Sequence, residues 1–460
     1  MKRNNLFLFL ALAFLSLAAK ANVTLPSIFS DNMVLQRNSD VKLWGWGSPF
    51  EDMVITTGWD NKEYKLKPNR EAYWELTVKT PGAGGPYTIN FKGYNEITLK
   101  NVMLGEVWLC SGQSNMEWSA NMKIDNAEAE IAKANYPNIR FFTAPKLAST
   151  QPQMNLPGSW EVCTPETMRH FSAVGYYFAR HLQEDLKDVP IGMINSSWGG
   201  SPAEPWIPAK YISEDPVLAK AAADLYKAEW SPSDPGHTYN AMIHPFVGYK
   251  LAGALWYQGE SNVGSHVYDK TLAGLIKGWR KEWKADFPFY FVQIAPYNYE
   301  GSTDLGAVIR DAQRRVVNAV DKTGMVVVSD ISPTDDIHPR NKKDVGIRLA
   351  NLALNNAYGI KKGVVNGPLY KSFTSDKNKL TVSFTNAEGL RFKGKTSTLF
   401  EMAGEDGTWH KAEAKIDKGA VVLTSKNVKK PVKARYAWSN TAQADLFNSA
   451  GLPASTFTTE

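Results

Sequence analysis

Three textures of apolar and polar positions follow one another along the chain. From residue 22 to about 102 they alternate in short runs, at 41–46, 73–78 and 87–91. Gly, Pro and Asn punctuate these runs at Gly47-Ser48-Pro49, at Lys67-Pro68-Asn69 and between Pro81 and Pro86. A period of two bounded by turn residues, with no helical period, predicts a small antiparallel β-sandwich over 22–102.

From 103 to 360 the runs lengthen and become β/α. Residues 102–110 are a continuous apolar strand ending in a Gly/Ser turn, and further strands are predicted at 190–195, 252–257, 289–294 and 325–329. Between them, Phe171, Val174, Phe178 and Leu182 recur at helical spacing, as do Leu272, Leu275, Ile276 and Trp279, and Val345 opens a closing helix. Continuous apolar strands alternating with amphipathic helices predict a parallel sheet covered on both faces. Loops at the carboxyl ends of its strands then carry the chemistry. From 361 to 460 short alternating segments return, predicting a C-terminal β region.

The extreme N-terminus changes the compartment. Met1-Lys2-Arg3, an apolar run from Leu6 to Ala19 and the small-x-small triplet Ala19-Lys20-Ala21 read as a signal peptide over 1–21. The apolar run is too short to span a bilayer, so the expectation is a periplasmic or secreted chain with no membrane span after cleavage. Losing Lys2, Arg3 and Lys20 lowers the formal charge of +6 by three. No basic block remains, which argues against a nucleic-acid partner. The two cysteines, Cys110 and Cys163, are compatible with a disulfide or with two buried thiols, and neither has metal-ligand spacing. Fifteen tryptophans supply aromatic faces suited to sugar rings, although most such residues serve a core.

The strand ends hold the candidate chemistry. The first ends in Ser111-Gly112-Gln113-Ser114-Asn115-Met116, where Ser114 could be a nucleophile given a base within reach, or simply a helix N-cap. The second ends in Trp198-Gly199-Gly200-Ser201, whose glycines suit either an oxyanion hole or a tight turn. The third ends in Gln258-Gly259-Glu260-Ser261-Asn262, where the Gln258 amide could donate to an oxyanion or cap the strand end. The fifth is followed by Asp335-Asp336-Ile337-His338-Pro339. His338 alone among seven histidines sits on a post-strand loop beside carboxylates, the orienting arrangement of a catalytic triad.

In this order the segments resemble a known family. Gly112-Gln113-Ser114-Asn115-Met116, the block from Trp198 to Trp206, Trp256-Tyr257-Gln258-Gly259-Glu260-Ser261-Asn262 and Asp336-Ile337-His338-Pro339-Arg340-Asn341-Lys342 look like the signature blocks of sialate O-acetylesterases. These are a carbohydrate-esterase branch of the SGNH hydrolases, and the likeness extends over roughly residues 25 to 445. It implies a three-layer αβα SGNH-hydrolase (flavodoxin-like) parallel sheet flanked by the two β regions. It implies Ser114 as nucleophile and His338 as general base. The oxyanion would be held by the Ser114 N–H, a glycine N–H from Gly199 or Gly200 (Gly200 preferred) and the Gln258 amide, with Asn262 in reserve. Asp335 is preferred over Asp336 as the acid that orients His338, and a Ser-His dyad is the alternative.

On this reading the substrate is an O-acetylated sugar or sialoglycan, acetate is released in two acyl-transfer steps, and no metal or organic cofactor is required. Trp198, Trp206 and Tyr257 flank the motif loops as candidate sugar contacts, with core packing the alternative for each. Arg310 is a candidate partner for a sialate carboxylate, or a helix ion pair. Competing functions are an acetylesterase for xylan or another glycan and, from a different class, a non-catalytic carbohydrate-binding protein on the same scaffold. A peptidase or lipase is disfavoured by the absence of a Gly-x-Ser-x-Gly elbow.

Overall fold

The computed structural model describes residues 22–187 and 189–460, so the signal-peptide segment 1–21 lies outside the described residues. The fold is mixed α/β: one large mixed sheet at the centre, with additional β sheets around it. In the N-terminal part, β1 (Val34–Gln36), β3 (Met53–Thr57), β4 (Lys62–Leu66) and β6 (Gly84–Lys92) belong to the large sheet. Strands β2 (Asp40–Trp46) and β5 (Tyr73–Lys79) form an antiparallel pair of their own. Leu43, Trp44 and Trp74 from that pair share one core with Ile55, Ile89 and Phe91.

Strand β7 (Glu96–Gly112) then runs 17 residues without a break. Its first half alternates in burial and pairs antiparallel with β6; from Val102 onward every residue is buried. The change follows from what covers it, since the second half lies between parallel neighbours with side chains packed on both faces. The boundary expected at 102 therefore falls inside a strand, and one hydrophobic core crosses it.

Around β7 the central sheet runs β13 (Thr323–Val326), β12 (Phe289–Val292), β11 (Gly253–Tyr257), β7, β10 (Ile191–Ser197), β8 (Tyr136–Thr143), β9 (Trp160–Cys163). All are parallel except β9, which closes the edge antiparallel to β8. Strand β8 was not legible in sequence, because Pro137, Asn138 and Arg140 interrupt its apolar run. Successive residues face opposite cores. Leu109, Trp256 and Phe291 pack with Leu275 and Trp279 of α4 (Tyr268–Trp283) and Ile309 of α5 (Leu305–Ala319). Cys110, Leu255 and Tyr290 pack with Phe178 of α2 (Ala173–Leu186) and Leu349 of α6 (Lys342–Asn356). Cys110 and Cys163 are both buried and unbridged; burial pushes the Cys163 thiol up to about 12 and Cys110 further, so both are inert. Among the described residues no helix is long and apolar enough to cross a membrane.

The C-terminal β region has its own core, built on Leu380, Phe400, Tyr436 and Phe457. Arg310 of α5 ties it to the centre, and this corrects the expectation of a sugar contact there. The guanidinium is fully buried and donates to the Ser439 and Ala437 carbonyls, to the Asn440 carbonyl (3.3 Å) and to Thr456 Oγ1 (3.0 Å). Its neighbour Asp311 accepts from the Thr458 N–H (3.3 Å). Arg310→Leu should leave several buried carbonyls unpaired and lower stability by on the order of 3 kcal/mol. A shifted urea-denaturation midpoint is the readout, and an unshifted one would contradict the clamp.

Candidate active site

Register sets the site. Gly112, the last residue of β7, is paired with Ser197 on one side and Tyr257 on the other, so three motif loops leave the sheet at one level. Gly112 lies at φ +132°, and a Cβ there would run into the Tyr257 carbonyl. Gln113 follows, its Oε1 accepting the N–H groups of Gly259 (3.4 Å) and Ser261 (3.2 Å), which binds the first loop to the third. Ser114 then opens α1 (Ser114–Glu117) as its first helical residue. Gln113 holds the N-cap position, so the Ser114 hydroxyl is not spent on capping.

That hydroxyl meets His338, 224 positions away, with Oγ 2.8 Å from Nε2. The imidazole stacks on Trp118, with centroids 4.2 Å apart and planes at 18°. The backbone N–H of His338 donates to Asp336 Oδ1 (2.8 Å). Asp335, expected to orient the ring, is exposed and makes no hydrogen bond to His338. Among the described residues no carboxylate accepts from Nδ1. Burial holds the His338 pKa below its ordinary 6.5, the Lys342 cation adds to that, and Asp336 opposes it.

Beneath the pair lies a buried polar chain. The Lys342 ammonium donates to Asn115 Oδ1 (2.6 Å), and Asn115 Nδ2 donates to Glu260 Oε1 (2.6 Å) and to the Ile337 carbonyl (3.0 Å). Burial pulls Lys342 down to about 7 against the pull of Glu260 and Asp336. Burial likewise raises Glu260, although Asn115 and Lys342 favour its anion.

The two glycines differ in their partners. Gly199 lies against Ser114, but its N–H is taken by Glu117 Oε2 (2.7 Å), whose other oxygen holds Lys146 (2.6 Å). The Gly200 N–H has no partner among the described residues, and the Ser114 N–H, first in its helix, has no intrahelical one. Gln258 corrects the expected third donor. Fully buried, it spends its amide on Asn262 Oδ1 (2.7 Å) and the Ser201 carbonyl (3.3 Å) while accepting from Tyr268. Asn262 is also engaged, donating to both oxygens of buried Glu204 (3.1 and 2.9 Å).

Two expected sugar contacts prove to be core. Trp206 is fully buried against Trp256, its Nε1 donating to Ser201 Oγ (2.9 Å), and Tyr257 is buried on the sheet's other face. Trp198 stays partly exposed. Conversely, Trp118, Lys342, Asn115, Glu260 and Glu117 were not singled out in sequence. Trp118 follows Ser114 by one helical turn as the C-cap of α1, whereas Lys342 opens α6 four residues after His338 across a non-helical stretch, so only Trp118 had a spacing signal. No group of three or more His, Cys, Asp or Glu side chains among the described residues could hold a metal ion.

With this geometry in place, the likeness to known proteins is informative. The family described as "Carbohydrate esterase, sialic acid-specific acetylesterase" matches residues 104–355. The human sialate O-acetylesterase is 31% identical over 417 residues, covering 82% of this chain and 79% of the human one. The rat sialate O-acetylesterase is 29% identical, covering 86% and 85%. A solved structure of a carbohydrate acetylesterase from Xanthomonas citri superposes with TM-score 0.87 at 35% identity, covering 95% of this chain and 99% of that one. Fold and likeness together define an esterase acting on carbohydrates, which sets aside the non-catalytic reading. The chain belongs to the sialic acid-specific acetylesterase family.

Because Asp335 faces solvent, Asp335→Ala should leave acetate release within about threefold of wild type. A loss approaching the roughly ten-thousandfold seen when a triad acid is removed would give Asp335 back the orienting role.

Proposed function

We propose that this enzyme hydrolyses O-acetyl esters of sialic acid, 9-O-acetyl sialate in particular, with Ser114 as nucleophile and His338 as general base. The observation that carries the proposal is the 2.8 Å contact between Ser114 Oγ and His338 Nε2 at the rim where three parallel strands end. His338 takes the Ser114 proton as Oγ attacks the acetyl carbonyl, and the Ser114 and Gly200 N–H groups receive the oxyanion. The intermediate collapses as His338 returns the proton to the sugar oxygen, leaving an acetyl-serine. Water, deprotonated by His338, attacks that ester; acetate leaves and Ser114 recovers its proton.

In this scheme the imidazolium formed in each step has no carboxylate on Nδ1 among the described residues. The Trp118 face stabilises it by a cation–π contact, and Asp336 adds an attraction through space. The parallel strands with helices packed on both faces are best described as an SGNH-hydrolase core. The β regions at 22–102 and 361–460 would then flank a catalytic core at 103–360, and the 1–21 segment would direct the chain to the periplasm or the exterior. A second reading keeps the machinery and changes the sugar to acetylated xylan or another glycan. It is favoured by the likeness to the Xanthomonas citri enzyme, whose description specifies only a carbohydrate.

Acetate release from di-O-acetylated sialic acid and from acetylated xylan separates the two readings. In either, Ser114→Ala should reduce turnover by about four orders of magnitude or more; activity that survives the substitution would sink the nucleophile assignment. The acidic limb of kcat/KM should lie below the ordinary histidine value, since only neutral His338 is a base and its pKa is held down. Asp336→Asn keeps an acceptor for the His338 N–H but removes a negative charge that raises that pKa, so the limb should move to lower pH. Lys342→Met should move it the other way.

A further inference from the structure

Between α3 (Pro216–Ala223) and Asp234 the chain displays two large aromatic side chains in water: Tyr226 is 80% exposed and Trp230 67% exposed. Their backbone is not loose. The Trp198 indole N–H donates to the Trp230 carbonyl (3.2 Å), Ser231 Oγ donates to the Gly200 carbonyl (3.0 Å), and Lys227 pairs with Asp234 (3.2 Å). The Trp230 indole edge lies so close to Gly200 that a Cβ there would sit 2.7 Å from its Nε1. The adjacent Gly199 lies against Ser114, so the exposed ring and the nucleophile contact neighbouring residues of one glycine turn.

Tyr226, four residues before Trp230 in the chain, lines a cavity of about 630 Å³ whose walls do not include Trp230. Its walls include Val217, Leu225 and Val267, with Ser261 and His266 supplying polar edges. Ser261 is the residue whose N–H Gln113 holds, so this wall and the nucleophile are positioned by the same side chain. Aromatic and aliphatic faces bordered by hydroxyl-binding groups match a pyranose, which offers C–H bonds on its face and hydroxyls at its rim. An exposed Trp on a pinned backbone costs little entropy to engage.

We propose that Trp230 and Tyr226 form a second sugar subsite, which binds the ring next to the acetylated one, so that the enzyme favours acetyl groups on glycan-linked sugar over free sugar. The proposal rests on the deacetylation reading above and extends it from one ring to two. The test follows acetate release from p-nitrophenyl acetate, from free 9-O-acetylated sialic acid, and from the same sugar at the end of a trisaccharide. Wild type should use the trisaccharide about tenfold or more efficiently than the free sugar. Trp230→Ala should abolish that preference through KM, Tyr226→Ala should weaken it, and Trp230→Phe should retain most of it. Hydrolysis of p-nitrophenyl acetate should stay within about twofold in all three, because none of these side chains touches the reacting atoms. Equal use of the two sugars by wild type, or a preference that persists in the Trp230→Ala/Tyr226→Ala double variant, would overturn the subsite. Turnover of neither sugar with p-nitrophenyl acetate still cleaved would overturn the deacetylation reading as well. That outcome is distinct from failure of the subsite alone, in which both sugars are consumed alike.

Discussion

The site depends on one uninterrupted strand. Strand β7 begins on the antiparallel side of the sheet and ends in its parallel centre, so the N-terminal β region and the catalytic rim share one backbone. Its ladder with β10 and β11 fixes Gly112 level with Ser197 and Tyr257. A slip of one residue would send every side chain of the strand to the opposite core, exchanging Leu109 with its neighbours Trp108 and Cys110. The position of Ser114 is thus inherited from many buried contacts, and the loops only complete it.

Electrostatically the site substitutes for a missing neighbour. With no carboxylate on Nδ1 among the described residues, His338 is placed by an indole face and by a cap on its backbone, and both constrain orientation without fixing a full charge against the ring. The nearest buried cation, Lys342, is itself drawn toward neutrality, and so is Glu260 at the far end of Asn115. Two opposite charges joined through one amide can remain buried because each partner reduces the cost of the other. Asn115 holds them apart while touching both.

The sequence made the strands of the central sheet legible wherever their apolar runs were continuous, and the level strand ends made Ser114 and His338 a natural pair. Strand β8 was hidden by Pro137, Asn138 and Arg140, which break its apolar run although it is paired on both sides. The misreadings at the site share one cause. Gln258, Trp206, Tyr257 and Arg310 all have chemistry suited to a ligand, and sequence gives no sign that buried neighbours already satisfy it. Asp335 and Asp336 are adjacent in one loop, and pattern alone could not tell that Asp336 caps the His338 N–H while Asp335 is exposed. Trp118 and Lys342 went unread because their roles arise only when two distant loops meet.

The clamp at Arg310 has a bearing on how the chain is made. Helix α5 leaves the ribosome well before the residues at 437–456 that receive its guanidinium, a separation of 127 to 146 positions. Until then a charged side chain destined for complete burial has no acceptor, so the face of α5 that carries it must stay open to solvent. Completion of the central core therefore requires the last β segment to be in place. A nascent chain halted short of that point would carry an exposed, unfinished seam for chaperones and proteases to recognise.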